Sequence, residues 1–183
     1  MTKKIIRQKI NSVRKNLSKE IIEEKSRKII KKLIGLEEYN NAETIMLYIS
    51  LDIEVDTREF IKNELLKGKS IVVPFVEDDD IQISKLENFE NLTQGKFGVL
   101  EPMKKKKYNG KVDLVIVPGV AFDSKGRRIG FGKGYYDKFL EKFRDSLKIG
   151  LAFEEQIVDF VPAQEHDVAV DMIITEKRII KCQ

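Results

Sequence analysis

Short apolar runs alternate with stretches of helical periodicity along most of the chain. Four runs rich in β-branched residues have the length of buried strands and lie at 44–49, 69–75, 112–117 and 147–153. Between them, apolar residues recur every three or four positions, which predicts amphipathic helices. Strands that alternate with helices favour a mostly parallel sheet with helices on both faces. We therefore predict an α/β fold, with one three-layer α/β/α domain over residues 1–183.

The pattern also predicts smaller elements around this sheet. An acidic turn at 78–80 leads into an alternating, half-exposed strand at 81–86, and a last strand is expected at 172–174. The region 88–111 has the least regular pattern and contains a run of four lysines, from Lys104 to Lys107. Such a run is usually part of a solvated loop, and a mobile cationic flap over an anionic ligand is the alternative.

The chain is organised around the connection between the strand at 112–117 and a helix that begins near Tyr135. This connection contains three alternate glycines: Gly130, Gly132 and Gly134. Alternate glycines remove the Cβ atoms that would keep a ligand away from the backbone. Free amides beside a helix start favour anions, and neighbouring arginines and a lysine add positive charge. The connection is therefore predicted to bind phosphate.

The spacing of this glycine loop differs from two common nucleotide-binding motifs. A Walker A loop needs Ser or Thr after its lysine, whereas Gly134 follows Lys133 here. The dinucleotide fingerprint is Gly-x-Gly-x-x-Gly, and this loop reads Gly-x-Gly-x-Gly. A flexible connection that binds no ligand is the alternative interpretation.

Two further features lie where a parallel sheet places its ligands. Lys3 and Arg7 are four residues apart on the helix predicted at 2–14 and so share one face, which binds phosphate or is a solvated basic face. Glu54 follows the strand predicted at 44–49. Because ligands of α/β sheets bind at the carboxyl ends of strands, these residues and the glycine loop can meet in one cleft.

The composition narrows the class of protein. Of 183 residues, 42% are apolar and 35% are charged, but the net charge of +4 is too small to imply nucleic-acid binding by itself. One cysteine, Cys182, allows no internal disulfide, and with one histidine, His166, it excludes a zinc site of the usual kind. No apolar run approaches the length of a membrane span, and we expect a cytoplasmic protein.

Several short motifs occur in a fixed order along the chain. The longest read Pro-Gly-Val-Ala-Phe-Asp at 118–123 and Arg-Ile-Gly-Phe-Gly-Lys-Gly-Tyr-Tyr-Asp at 128–137. Shorter ones are Lys3-x-x-x-Arg7, Ser50-x-x-x-Glu54-Val-Asp-Thr57, Phe97-Gly98-x-x-Glu101-Pro102 and Val170-Asp171. Together they resemble the signature of the 5-formyltetrahydrofolate cyclo-ligase family, also called 5,10-methenyltetrahydrofolate synthetases. The resemblance covers nearly the whole chain.

The resemblance implies an enzyme that uses ATP and magnesium to convert 5-formyltetrahydrofolate to 5,10-methenyltetrahydrofolate, with release of ADP and phosphate. In that family the formyl oxygen attacks the γ-phosphate, and N10 then closes the ring as phosphate leaves. The fold it implies is a single three-layer α/β domain. By resemblance, Ile49 and Glu54 bind the folate, and Asp137 and Asp171 bind the metal. The implied ATP-binding residues are Lys3, Arg7, Arg128, Ile129, Gly130, Phe131, Gly132, Lys133, Gly134, Tyr135 and Tyr136.

The residues leave two other classes of function open. A different ATP-dependent enzyme on a similar scaffold would bind nucleotide and ignore folate, since fold does not fix function. A non-catalytic module, such as a folate store or an RNA-binding protein, would release no ADP with folate or would bind RNA with steep salt dependence. The sequence contains no aromatic-interleaved basic motif of the RRM type, which counts against RNA. We assign no catalytic residue and expect a monomer that binds small molecules, not nucleic acid or membrane.

Overall fold

The computed structural model describes residues 2–95, 98–132, 134–164 and 167–182. Its helices are α1 Lys3–Lys15, α2 Lys19–Ile34, α3 Glu37–Asn41, α4 Arg58–Leu66 and α5 Tyr135–Glu141. Its strands are β1 Thr44–Met46, β2 Ser70–Glu77, β3 Asp80–Leu86, β4 Leu92–Gln94, β5 Leu100–Pro102, β6 Leu114–Val117, β7 Ala121–Phe122, β8 Arg128–Ile129, β9 Leu147–Leu151, β10 Met172–Ile174 and β11 Ile179–Lys181. Short 3-10 turns cover Phe89–Asn91 and Glu154–Gln156.

A seven-stranded sheet forms the centre of the fold, in the order β11-β10-β9-β6-β1-β2-β3. Neighbouring strands run parallel from β10 through β9, β6 and β1 to β2. The two outermost strands, β11 and β3, pair antiparallel with their neighbours. The prediction of a mostly parallel sheet is confirmed.

Side chains of the central strands divide between two apolar clusters, one on each face of the sheet. In β6, Leu114 and Ile116 belong to the cluster that contains side chains of α2 and α4. The intervening residues, Val115 and Val117, belong to the cluster that contains side chains of α5. This period of two is that of an extended strand, so one strand supplies both cores and helices cover both faces of the sheet. The three-layer α/β/α prediction is confirmed.

The start of α2 is fixed by a side-chain cap and by an apolar contact. Ser18 is the N-cap of α2, and its Oγ accepts a hydrogen bond from the amide of Ile21 at 3.3 Å. The preceding residue, Leu17, packs against the cluster that contains Ile22, as a hydrophobic staple requires. Within the described residues, no helix combines the length and apolar character needed to cross a bilayer.

Besides the two-residue strands β7 and β8 before the glycine loop, which pair antiparallel, two parts of the chain contain strands that the sequence pattern did not predict. The region 88–111 is not irregular throughout, because β4 and β5 pair there as a separate antiparallel sheet. The strand at 172–174 is not the last one, because β11 follows it and pairs with it. Each of these strands has three residues, and β11 buries none of them fully. A strand that short and that exposed produces almost no periodic signal.

Candidate functional site

A cleft of about 630 Å³ opens where β1 and β6 end. The segment after β1 supplies Ile49 and Glu54 to its wall, and α1 supplies Lys3 and Arg7. The glycine loop and the start of α5 contribute the remaining predicted residues: Arg128, Ile129, Gly130, Phe131, Gly132, Gly134, Tyr135, Tyr136 and Asp137. The structure therefore brings the predicted nucleotide and folate residues into one cleft. Lys133 lies outside the described residues.

The glycine loop has a backbone that only glycine adopts easily. Gly132 and Gly134 have positive φ angles of 102° and 71°. Arg7 reaches the loop from α1, and its Nε donates a hydrogen bond to the carbonyl oxygen of Gly130 at 2.8 Å. A Cβ added at Gly132 would lie 3.4 Å from the guanidinium carbon of Arg7. The loop and this guanidinium therefore form one wall, with positive charge beside exposed backbone.

Arg128 has a different environment from Arg7, because its side chain is only 2% exposed. Its Nη2 donates to Asp137 Oδ1 at 2.8 Å, and its guanidinium carbon lies 5.6 Å from the ring centroid of Tyr136. The buried arginine is thus held under the glycine loop by an ion pair with the partly exposed Asp137. Because Asp137 lies in the first turn of α5, this ion pair fixes the start of α5 against the glycine loop.

The two carboxylates predicted to bind metal are not brought together. Asp137 lines the cleft, and no hydrogen bond from any described residue reaches its second oxygen, Oδ2. Asp171 immediately precedes β10, at the amino end of the sheet, whereas the cleft lies at the carboxyl ends of β1 and β6. Its Oδ2 accepts a hydrogen bond from the amide of Lys148 at 2.7 Å. Within the described part of the chain, no group of three or more acidic, histidine or cysteine side chains could hold a metal ion.

Glu54 is a buried carboxylate in the wall of the cleft, with 6% of its surface exposed. Its Oε2 accepts a hydrogen bond from the amide of Leu51 at 2.8 Å, so the loop after β1 fixes its orientation. Burial raises the pKa of Glu54 to about 6, although the Leu51 amide and the charge of Arg14 both act to lower it. The group is therefore an anion at neutral pH that protonates under mildly acidic conditions. Ile49, which is 2% exposed, lines the same wall.

Sequence reasoning missed three charged residues at the site. Asp167 accepts a hydrogen bond from Lys3 at 2.5 Å and also lines the cleft. Glu101 is 2% exposed, and its Oε1 accepts a hydrogen bond from the amide of Val76 at 3.1 Å. Arg14, considered below, is wholly buried. The motif that contains Glu101 was a signal for its position, while nothing local marked Asp167, which is 164 residues from its partner.

The lysine run forms ion pairs with acidic side chains. Lys105 lies 2.8 Å from Glu101 Oε2, and Lys107 lies 2.5 Å from Glu77 Oε2. Tyr108, immediately after the run, donates its amide to the carbonyl oxygen of Ile83 in β3 at 2.8 Å. These contacts attach the segment to the sheet edge and agree better with the loop interpretation than with a free cationic flap.

The chain is similar to proteins of one family over nearly its whole length. Residues 1–176 match the model of the 5-formyltetrahydrofolate cyclo-ligase family. A 5-formyltetrahydrofolate cyclo-ligase of Saccharomyces cerevisiae is 31% identical, and the match covers 94% of each chain. The solved structure of the Aquifex aeolicus 5,10-methenyltetrahydrofolate synthetase is 36% identical, with a TM-score of 0.90, over 100% of this chain and 94% of that one. A Mycoplasma pneumoniae 5,10-methenyltetrahydrofolate synthetase is 29% identical, with a TM-score of 0.78, over 96% and 99% of the two chains.

Proposed function

The chain belongs to the 5-formyltetrahydrofolate cyclo-ligase family, and we propose that it converts 5-formyltetrahydrofolate to 5,10-methenyltetrahydrofolate with ATP and magnesium. The relatives are named for this cyclo-ligase or synthetase activity, so the chain is an enzyme of the ligase class. The observation that carries the proposal is the single cleft that contains the glycine loop, the basic residues of α1 and Glu54. A cleft with an anion-binding wall and a carboxylate wall suits two substrates that must react with each other.

The glycine-loop wall is proposed to hold the phosphates of ATP. Phosphoryl transfer needs alignment and charge neutralisation more than covalent help from the protein. Arg7 and Lys3 provide positive charge from α1, and the glycines let the phosphates approach backbone amides. The formyl oxygen is a poor nucleophile, so its approach to the γ-phosphorus must be fixed by binding. N10 then attacks the activated carbon, the phosphate leaves with the former formyl oxygen, and the N10 proton leaves with it.

A magnesium ion fits at Asp137. This ion prefers one or two carboxylates together with phosphate oxygens and water. Asp137 lines the cleft, its Oδ1 accepts a hydrogen bond from Arg128, and no described residue donates one to its Oδ2. Bound there, magnesium would neutralise charge on the transferred phosphoryl group. The role of Asp171 as a second ligand stays a prediction that this geometry does not support, since its carboxylate accepts the Lys148 amide at the other end of the sheet.

The folate is proposed to bind the wall formed after β1. The edge of a pterin carries several N–H donors, and a carboxylate can accept two of them in charge-assisted hydrogen bonds. Glu54 is fixed for this role by the Leu51 amide, and Ile49 gives an apolar surface beside it. We therefore assign recognition of the folate to Glu54 and Ile49. We assign binding of the phosphates to the wall formed by the glycine loop and the basic residues of α1.

Release of ADP with and without 5-formyltetrahydrofolate tests the proposed function. We expect ADP to form only when folate, ATP and magnesium are all present, in equal amount to 5,10-methenyltetrahydrofolate, and to stop when the metal is chelated. Release of ADP that ignores folate would indicate a different ATP-dependent enzyme. Binding of folate or ATP without any ADP release would indicate a non-catalytic module.

Replacement of Arg7 by methionine is expected to weaken ATP binding at least tenfold, which is about 1.4 kcal/mol. The change removes a positive charge and the hydrogen bond from Nε to the Gly130 carbonyl oxygen. Lys9→Met is the matched control, because it removes a charge from the exposed face of the same helix. Calorimetric titration of both variants with ATP decides whether the face of α1 that contains Arg7 binds phosphate or is only a solvated basic face. Equal affinities for the two variants would contradict the assignment of Arg7.

The Michaelis constant for 5-formyltetrahydrofolate is expected to rise as the pH falls through about 6. Burial raises the pKa of Glu54 to about 6, so the carboxylate predominates above that pH and is lost below it. If only the carboxylate binds folate, the constant at pH 5 should be about tenfold higher than at pH 7.5. Steady-state kinetics across this range test the expectation. Glu54→Gln is the control, because a glutamine does not titrate and its variant should lack this dependence.

A further inference from the structure

Arg14 is a buried cation on the same helix face as Arg7, seven residues further along α1. None of its surface is exposed, and Nη2 donates a hydrogen bond to Asn11 Oδ1 at 2.7 Å. Its Nε and Nη1 have no hydrogen-bond partner in the described structure. An arginine remains protonated in proteins, so the fold contains a buried positive charge with two unpaired donors. Such an arrangement is costly unless an anion balances it.

The acidic residue that shares a cavity wall with Arg14 in the described structure is Glu54. Arg14 and Glu54 line one narrow gap together with Tyr48 and Gln156, and Glu54 also lines the main cleft. Burial lowers the pKa of Arg14, and among the opposing influences the charge of Glu54 comes first. The charge of Arg14 in turn lowers the pKa of Glu54 against the effect of burial. One carboxylate therefore faces a buried guanidinium on one side and the substrate cleft on the other.

The other groups that act together with Glu54 carry no charge at neutral pH. The amide of Leu51 donates to Oε2. The hydroxyls of Tyr48 and Tyr136 are neutral, because burial and the charge of Glu54 raise their pKa values. Arg128 acts on Tyr136, and it is paired with Asp137. Among the described residues, Arg14 is thus the charged side chain that favours the ionised form of Glu54.

A role in packing alone does not explain an arginine at this position. An apolar side chain of similar volume would fill the same space without two unpaired donors, and such replacements of buried charges are often neutral or stabilising. The ring of Phe131, whose centroid is 5.9 Å from the guanidinium carbon, connects the same side chain to the glycine loop. The position of Arg14 between Glu54 and that loop indicates a role in the site.

We propose that Arg14 is a positioning residue that holds Glu54 ionised beside the cleft, and thereby sets the affinity for the donor-rich edge of the folate. This inference rests on the proposed function, in which Glu54 binds that edge. Arg14 itself touches neither substrate. Its removal should change how folate binding depends on pH. Removal of a purely structural residue would leave that pH dependence unchanged.

The pH dependence of the folate Michaelis constant in Arg14→Met and Arg14→Lys tests the proposal. In Arg14→Lys the rise of the folate Michaelis constant at low pH should still be centred near pH 6. In Arg14→Met this rise should be centred above pH 7. The folate Michaelis constant of the variant should then be higher than that of wild type on the order of tenfold at pH 6, and within about twofold of it at pH 8.5. On a Glu54→Gln background, Arg14→Met should have no further effect. A constant that is unchanged, or raised equally at every pH, would overturn the proposal.

A direct measurement separates this inference from the proposed function. Carbon-13 labelling of glutamate carboxyls allows Glu54 to be titrated by NMR, with its signal identified by its loss in Glu54→Gln. The Glu54 titration midpoint should be higher in Arg14→Met than in wild type, whether or not the protein turns over folate. Identical midpoints refute the role of Arg14, whereas a higher midpoint without folate turnover refutes only the proposed function. If Arg14→Met does not fold, Arg14→Gln against Arg14→Lys gives the same comparison.

Discussion

Replacement of Glu54 by glutamine is expected to raise the Michaelis constant for 5-formyltetrahydrofolate by roughly 30-fold or more and to leave ATP affinity nearly unchanged. A hydrogen bond to a charged group contributes about 1.5–3 kcal/mol, and a glutamine presents one acceptor oxygen where the carboxylate presents two. A loss of 2–3 kcal/mol corresponds to roughly 30- to 150-fold in affinity. The side chain is buried in the wall of the cleft and oriented by the Leu51 amide, so the change alters chemistry and preserves shape.

The matched control for this variant is Glu59→Gln. Glu59 lies in the first turn of α4 with 76% of its side chain exposed, so its loss removes a carboxylate near the site in sequence but outside the cleft. Both affinities and the melting temperature should be measured on one preparation of each variant. Equal losses for folate and ATP in Glu54→Gln, or an unaltered folate constant, would refute the assignment of Glu54.

The variant Gly132→Val is expected to lose at least tenfold in ATP affinity while the domain stays folded. At φ 102° a residue with a Cβ is strained, and that Cβ would sit 3.4 Å from the guanidinium of Arg7. The added branches would therefore displace Arg7 and fill the space proposed for a phosphate. Calorimetric titration with ATP measures the effect.

Gly68→Val separates the loss of a phosphate site from backbone strain. Gly68 has a similar positive φ of 80°, follows α4, and has nothing within 4 Å of an added Cβ. Both variants should lose stability by about 1–3 kcal/mol from the strained backbone. If Gly132→Val binds ATP as tightly as Gly68→Val does, the glycine loop is not part of the nucleotide site.

The larger elements of the fold were predictable because each has a strong periodic signal. The strand β6 is fully buried, so an apolar run marks it in the sequence. The helix α2 buries Ile22, Ile29 and Leu33, so apolar residues at helical spacing mark it. The strands β4, β5 and β11 have three residues each, although each pairs with a strand close to it in sequence. Three residues are too few for a periodic pattern to identify a strand.

The site was predictable where several residues of one motif act together, and not where one residue meets a distant partner. The glycine loop lies between a predicted strand and a predicted helix, Glu54 follows a predicted strand, and the cleft contains both. The pairing of Arg128 with Asp137 alters how both must be interpreted, because each neutralises the other before any ligand arrives. Asp171 shows the limit of a motif, since matching its position in sequence did not place it in the cleft.

The contact between Lys3 and Asp167 has a consequence for the order of events during synthesis. These residues are 164 positions apart, and Arg7 meets Gly130 across 123 positions, so the first helix contacts parts of the cleft that are synthesised much later. A ribosome that adds roughly 5–20 residues per second needs on the order of 10 s to pass from one end of this contact to the other. Throughout that interval α1 is exposed on the nascent chain without its final partners. The proposed substrate cleft is therefore complete only near the end of translation, and a chain truncated before Asp167 would lack part of its wall.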